Sequence, residues 1–199
     1  TQKLKQLCFK YQLSIFTVIL SIFDLTIYQS TNQRDVAIGT IVATRKFREL
    51  ENLTGFFINA VVLRSDLNND ISFKDLMFQN KQVITEAFSN KEVSFGQVIQ
   101  LRKSKKVFRN NPFYQAMIVL QPPLLQNLKL NNLEIERYTI GYDIARADVV
   151  FELQEENNEL FGGFYYNTNY FKYSTIQCLK KSFEYLASVV TPELKIESM

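Results

Sequence analysis

Two runs of β-branched and aromatic residues between Asp35 and Arg64 constrain the fold of this chain more than any other feature. The first, DVAIGTIVAT, and the second, FFINAVVLR, carry apolar side chains in near alternation, which is typical of β-strands. Gly39 lies within the first run and Gly55 opens the second, and a glycine so placed indicates a bulge or a close backbone approach. The pattern predicts two strands of a packed sheet joined by a polar loop.

The remaining segments predict an α/β sandwich, in which a mixed sheet carries helices packed on one face. Apolar periodicity and cap residues predict helices over residues 4–28, 72–90, 93–101 (a short helix or a loop) and 173–190. Further strands are predicted over residues 115–121, 133–140, 148–154 and 159–167, the last two as a hairpin around 155–158. With no linker in view, residues 1–199 are expected to form one domain.

Composition excludes several classes of protein. The 46% hydrophobic and 22% charged content is that of a globular domain, and a net charge of +3 does not call for nucleic acid. The apolar run over residues 13–23 is too short to span a bilayer and ends at Asp24, so a buried core helix is expected rather than a membrane anchor. Two cysteines make no disulfide framework, which favours a reduced, cytoplasmic protein.

The order of residues in these segments resembles a known family. Residues 38–45, IGTIVATR, and 54–64, TGFFINAVVLR, are similar to the V-G-T/S-P-V-A-x-R and I-G-x-F-V-N-T-x-x-L-R patterns of the condensation domains of nonribosomal peptide synthetases. Further similar segments follow the family order: IFTVILSIF at 15–23, NKEVSFG at 90–96, RNNPFYQAM at 109–117, ARADV at 145–149 and YNTNYF at 166–171.

This resemblance implies the chloramphenicol-acetyltransferase-like fold, in which two lobes face each other across a V-shaped cleft. The chain resembles the C-terminal lobe. The family's H-H-x-x-x-D-G motif belongs to the N-terminal lobe, and this chain contains no histidine. It also begins at Thr1 with helical periodicity already present, so a fragment without condensing activity of its own is expected.

The resemblance also implies the partners. They would be an N-terminal condensation lobe, acyl or peptidyl carrier domains that carry phosphopantetheine, and an adjoining adenylation domain, with no cofactor held by this chain. An exposed cleft face also predicts self-association.

Two residues admit both a structural and a functional interpretation. Asn59 lies amid apolar strand residues, so its side-chain amide is expected to be buried and hydrogen-bonded to backbone groups. Its place in the family motif instead suggests that it forms a polar wall near the substrate tunnel. Asp148 begins a strand, where a loop cap or a salt bridge to Arg64 or Arg146 is expected; a role in holding the two lobes together is the alternative.

Three segments remain open in the same way. Residues 44–52 are a plain connection or, by resemblance, part of the floor of the substrate channel. Residues 122–145 are long for a loop and form either a latch to the other lobe or a hairpin on this one. The basic residues 102–106 are a solvated face or a docking site for an acidic carrier domain.

The sequence therefore nominates a substrate-binding set but no catalytic or metal-binding residue. Cys8 and Cys178 have no histidine to activate them and are expected to be core thiols. Alternative interpretations are an epimerisation or heterocyclisation lobe, or a non-catalytic interaction platform. The candidate substrate-binding residues are Gly39, Arg45, Gly55, Asn59, Asn90, Asn110, Pro112, Gln115 and Asp148.

Overall fold

The computed structural model of the chain describes residues 1–68, 70–101, 111–122, 133, 145–156 and 158–196. Asn110, the basic residues 102–106, most of the segment 122–145 and the strand predicted over 133–140 therefore lie outside the described residues. The helices are α1 (Gln2–Tyr11), α2 (Ile15–Thr31), α3 (Phe73–Ser89), α4 (Phe95–Gln100) and α5 (Tyr173–Val189). The strands are β1 (Asp35–Ala43), β2 (Ile58–Asp66), β3 (Ala116–Gln121), β4 (Val149–Glu156) and β5 (Glu159–Tyr166).

The strands form one mixed sheet in the order β2-β1-β3-β4-β5. The two β-branched runs between Asp35 and Arg64 form β1 and β2, which pair antiparallel along their whole length, from Asp35 opposite Asp66 to Ala43 opposite Ile58. Strands β1, β3 and β4 run parallel, and β4 pairs antiparallel with β5 across the predicted hairpin. The α/β sandwich with a mixed sheet is thus confirmed.

One face of the sheet is covered by the four longer helices. Residues with alternating positions along the strands, such as Ile38, Ile118 and Phe151, pack against α1, α2, α3 and α5 in the main core. At its centre the ring of Phe151 stacks on Phe164 at 4.5 Å between centroids and lies 5.4 Å from Phe23. The opposite face buries a smaller cluster around Tyr114 and includes Phe95 of the short helix α4, so one helix departs from the predicted one-sided arrangement.

The prediction of one continuous helix over residues 4–28 is wrong, because the helix is broken into two. Two helices, α1 and α2, meet at 113° across a short break. Gln12 ends α1 in the left-handed region at φ 51°, and Ser14 caps α2 by accepting a hydrogen bond from the Thr17 amide at 3.1 Å. Within the described residues, no single helix is long and apolar enough to cross a membrane, although this bent pair reaches that threshold jointly.

The helix predicted to begin at Ser72 is confirmed, cap included. The Ser72 hydroxyl accepts from the Asp75 amide at 3.2 Å, and the Asp75 carboxylate accepts from the Ser72 amide at 3.0 Å. This reciprocal capping box satisfies amides that a helix N-terminus otherwise leaves without partners. It fixes where α3 leaves the β2 edge of the sheet.

Candidate functional site

The candidate substrate-binding residues that the structure describes do not meet at one point. β1 has nine residues, and at about 3.3 Å per residue its two ends lie roughly 26 Å apart. Arg45, Gly55 and Asn59 lie at the end where β1 passes into β2. Because Ile38 pairs with Ala116 in parallel register, the residues that precede β3 lie at the opposite end, beside Asp35. We refer to residues 44–57, which join β1 to β2, as the tip.

Arg45 holds the tip together from within. Its guanidinium donates to the carbonyls of Leu50 at 3.0 Å and Leu53 at 2.9 Å, and it lies over the ring of Phe57, 4.5 Å from the centroid. A side chain on Gly55 would approach within 2.9 Å of that ring. Both motif residues therefore shape the tip, and the Arg45 charge is used on backbone carbonyls and an aromatic face.

Asn59 ties the first residues of β2 to the segment before α4. Its side-chain nitrogen donates to the carbonyls of Lys91 at 2.9 Å and Val93 at 2.7 Å. Its oxygen accepts from the amides of Ala60 at 3.0 Å and Phe95 at 3.2 Å. These four hydrogen bonds of the amide all go to backbone, as the structural interpretation expects, and the result is that α4 is fixed to the sheet.

Asn90 lies in the same region, at the end of α3. Its side chain is exposed and donates to the Glu86 carbonyl at 2.9 Å, closing the last turn of the helix. A salt bridge of 2.8 Å between Lys46 and Glu92 joins the tip to the segment that follows Asn90. The tip and the α3–α4 connection therefore form one continuous end of the molecule.

This end exposes large apolar side chains. Phe56 is 86% exposed, an unusual state for a phenylalanine, and it is not alone. Clustered exposed apolar residues mark surfaces that contact another partner. The exposed apolar residues, which we call the tip surface, are Phe47, Leu53, Phe56, Ile58 and Val93.

A cavity of about 470 Å³ lies beneath the same end. Its walls come from the last residues of β1, from Leu120 of β3, and from Phe16 and Ile84 of the helix layer. β1 and β3 run parallel, and in α/β folds ligands commonly bind at the carboxyl ends of parallel strands. This end of the sheet is therefore the strongest candidate site by position.

Gly39 lies midway along β1, on the face opposite the main helix layer. A Cβ atom there would lie 2.3 Å from Cε2 of Tyr114, so glycine is required for the Tyr114 ring to lie on the strand. Tyr114 is 4% exposed, and burial raises the pKa of its hydroxyl. The close approach predicted at Gly39 is present, and it serves packing.

Pro112 and Gln115 line a second cavity, of about 920 Å³, at the far end of the sheet. Gln115 donates from its side chain to the Asn111 carbonyl at 3.2 Å. The same cavity is bordered by Asp35 and Arg64. Two candidate residues thus share a cavity, but one that is remote from the tip.

Asp148 is buried, and Arg64, one of the two arginines predicted as its possible partner, pairs with another carboxylate. The Arg64 guanidinium instead makes a bidentate ion pair with Asp35, with Nε–Oδ1 at 2.7 Å and Nη2–Oδ2 at 2.8 Å. This pairing lowers the pKa of Asp35. Strand register explains it, because Asp35 and Arg64 lie diagonally across the β1–β2 ladder, whereas Asp148 precedes β4 on the far side of β3.

A buried polar cluster around Asp24 is not predicted by the sequence patterns. The Asp24 carboxyl is fully buried on α2, where Oδ2 lies 2.8 Å from Ser65 Oγ and 2.7 Å from Asn80 Nδ2. Burial raises its pKa to about 7, opposed by the hydrogen bonds from Asn80 and Ser65. The sequence feature that could have predicted this cluster is a single acidic residue within an otherwise apolar helix. Analysis of hydrophobic periodicity records that residue only as the end of an apolar run.

The two cysteines differ in their surroundings. Cys8 is half-buried, and burial raises the pKa of its thiol, which disfavours the reactive thiolate. Cys178 is exposed, so the expectation of a core thiol is wrong there, since its position on α5 lies outside the apolar arc. Among the described residues, no three histidine, cysteine or acidic side chains are grouped as metal ligands would be.

Comparison with known proteins places this fold in a family. The family model for the condensation domain matches residues 1–197. The chain belongs to the condensation domain family. The fold of this condensation chain is accordingly chloramphenicol-acetyltransferase-like, as the resemblance implied.

Two curated relatives illustrate the match. The condensation chain is 29% identical over 176 residues to malpibaldin synthetase of Mortierella alpina, covering 88% of this chain and 3% of that protein. It is 26% identical over 198 residues to gramicidin S synthase 2 of Brevibacillus brevis, covering 98% of this chain and 4% of the relative. The chain thus spans a small part of the relatives it matches.

Solved structures agree on the fold. A four-domain nonribosomal peptide synthetase bound to AMP and glycine superposes with a TM-score of 0.83 at 21% identity, over 98% of this chain and 16% of that one. The X-domain from teicoplanin biosynthesis superposes with a TM-score of 0.84 at 18% identity, over 98% of this chain and 46% of that one.

Proposed function

We propose that this chain is the C-terminal lobe of a peptide-bond-forming condensation domain, and that its tip end faces a second lobe across the substrate tunnel. The tip surface carries this proposal, because it exposes Phe56 and its apolar neighbours at the carboxyl ends of β1 and β3. The family match over residues 1–197 supports it. In this arrangement the tip supplies part of the tunnel floor; the latch that the family resemblance implies for residues 122–145 lies mostly outside the described residues.

The reaction joins two acyl groups carried as thioesters on phosphopantetheine arms of carrier domains. The amine nitrogen of the acceptor forms a bond to the donor carbonyl carbon, the C–S bond breaks, and the proton lost by the amine passes to the departing thiolate. Holding both thioesters in one tunnel supplies much of the rate. A base from the other lobe assists the amine, since this chain has no histidine.

The proposed binding residues act mainly by shaping that tunnel. Arg45 and Gly55 set the form of the tip, and Asn59 fixes α4 beside it. The partners are the N-terminal lobe, two carrier domains and an adenylation domain, in the cytoplasm. Phosphopantetheine arrives on the carriers, so this chain needs no cofactor of its own.

A reconstitution assay tests the proposal. Donor and acceptor carrier domains, each loaded with an aminoacyl phosphopantetheine, are incubated with the chain alone and with the chain plus an N-terminal lobe bearing the histidine motif. Mass spectrometry should detect dipeptidyl thioester only when both lobes are present. Turnover by the chain alone would contradict the assignment as one half of the enzyme.

A matched pair of variants sharpens the assay. Phe56→Asp places a charge on the tip surface and should reduce product formation by weakening association of the lobes. Phe9→Asp alters an equally exposed phenylalanine, 91% exposed on α1, and should leave the yield unchanged.

The second candidate function is a non-catalytic interaction platform. A similar structure, the X-domain of teicoplanin biosynthesis, was solved as a complex with OxyB and superposes on this chain with a TM-score of 0.82. The coding sequence upstream of Thr1 separates the two functions. An intact H-H-x-x-x-D-G motif there favours the enzyme, whereas a degraded motif favours the platform.

A further inference from the structure

The cluster around Asp24 joins three elements inside the main core. Asp24 lies on α2, Ser65 on β2 and Asn80 on α3, and all three side chains have no exposed surface. Asn80 Nδ2 donates to Asp24 Oδ2 at 2.7 Å and to Ser21 Oγ at 3.0 Å. The cluster is thus a polar link between α3 and the rest of the core.

The two short contacts of Ser65 Oγ need two protons, but the Ser65 hydroxyl supplies only one. Ser65 Oγ lies 2.8 Å from Asp24 Oδ2 and 2.8 Å from Asn80 Oδ1, and both neighbours are acceptors. A hydroxyl has one proton, so it can donate to only one of them. If the carboxyl is protonated on Oδ2, Asp24 donates to Ser65 and Ser65 donates to Asn80, and both short distances become hydrogen bonds.

The other carboxyl oxygen points to the same state. Asp24 Oδ1 is buried without a hydrogen-bond partner among the described residues. An unpartnered buried oxygen is much less costly in a neutral carboxyl than in a carboxylate, whose charge is unscreened in the core.

Within the part of the chain that the structure describes, no cation pairs with Asp24. The groups that face it are the neutral side chains of Ser21, Ser65 and Asn80, and β1 contributes the apolar Val36 opposite Ser65. The charged side chains of α3 and α5 are exposed. The cations of α1 and β2 nearest the core bond elsewhere: Lys3 to the Ser188 carbonyl, Lys5 to Glu155 and Arg64 to Asp35.

We propose that Asp24, Ser65 and Asn80 form a proton-operated lock that holds α3 on the core, closed when Asp24 is protonated and weakened when it ionises. α3 leads directly into the segment that Asn59 binds at the tip end. Release of α3 therefore loosens the α3–α4 connection beside the tip surface.

The direction of the pH effect follows from proton linkage. The Asp24 pKa is about 7 in the folded chain against 3.8 for the free group, so between these values the closed state holds a proton that the open state has lost. The equilibrium constant for holding α3 on the core is therefore largest near pH 3.8. It falls about tenfold for each pH unit as the pH rises toward about 7. Above the upper value, both states are ionised and the dependence levels off.

Amide hydrogen exchange between pH 5.0 and pH 8.0, corrected for intrinsic rates, tests the lock. In the native sequence, protection of α3 should fall about tenfold per pH unit and then level off, relative to α5. Asp24→Asn cannot ionise and should make α3 protection independent of pH. Asp35→Asn, which removes an exposed acid on β1, should leave the native profile intact.

A second variant guards against a merely structural effect. Asn80→Leu removes a donor that favours the ionised carboxyl, so the pH at which the profile levels off should move upward. A loss of protection that is equal at every pH in this variant would overturn the lock, as would a native-like pH profile in Asp24→Asn.

Discussion

At the scale of single residues, side chains that match a family motif are used here for packing and backbone hydrogen bonds. Gly39 makes room for Tyr114, Arg45 bonds to carbonyls of its own loop, and Asn59 satisfies four backbone groups. Their spacing in sequence reflects the geometry of a β1–β2 ladder. The motif residues can thus be recognised by the structural roles that this ladder and its neighbours give them.

Gly39→Ala is expected to destabilise the chain. The new methyl group would lie 2.3 Å from Tyr114 Cε2, and moving a packed ring costs about 1–3 kcal/mol of the free energy of unfolding. Urea denaturation measures the change. Gly163→Ala is the matched control, because a Cβ atom at that strand glycine meets nothing within 4 Å, and an unchanged midpoint for both variants would refute the packing role.

At the scale of elements, local signals predicted most helices and strands, and long-range contacts corrected them. The Ser72 cap and the 155–158 hairpin formed as expected. The break between α1 and α2 was not predicted, since residues 13–23 are largely apolar and favour one continuous helix. Folding α1 back lets Leu4 and Leu7 reach the main core, which periodicity alone does not reveal.

Asn59→Ala is expected to release α4 from the sheet. The Lys91 and Val93 carbonyls and the Phe95 amide lose their partner. Because these groups are partly buried or exposed, each lost hydrogen bond is expected to cost about 0.5–1.5 kcal/mol of the free energy of unfolding. Hydrogen exchange over residues 91–100 should speed up while α5 is unchanged. Asn90→Ala, which removes one exposed hydrogen bond to Glu86, should have little effect, and equal effects of the two variants would argue against the special role of Asn59.

At the scale of the whole molecule, the two ends of the sheet differ in character. The tip end exposes the five apolar residues of the tip surface above a cavity of about 470 Å³. The opposite end is bordered by the Asp35–Arg64 ion pair and encloses about 920 Å³. The tip end therefore differs from the opposite end in the large apolar side chains that it exposes to solvent.

Self-association of this chain through the tip surface is expected from the large apolar side chains exposed there. Light scattering at increasing concentration should show a rising mean mass, because exposed apolar area favours association. Phe56→Asp should reduce the effect, whereas Phe9→Asp on α1 should not. A chain that stays monomeric at high concentration would count against the tip surface as an interface.

The sequence by itself determined the class of fold, the paired strands β1 and β2, the capped start of α3 and the family membership suggested by ordered motifs. These depend on side-chain period, cap chemistry and residue order, which are local properties of the chain. Tertiary structure alone decided that the candidate residues lie at opposite ends of the sheet, that Arg64 pairs with Asp35, and that Asp24 meets Ser65 and Asn80 in the core. Each of these depends on strand order and helix packing, which bring together residues far apart in sequence, and no local pattern encodes those distances.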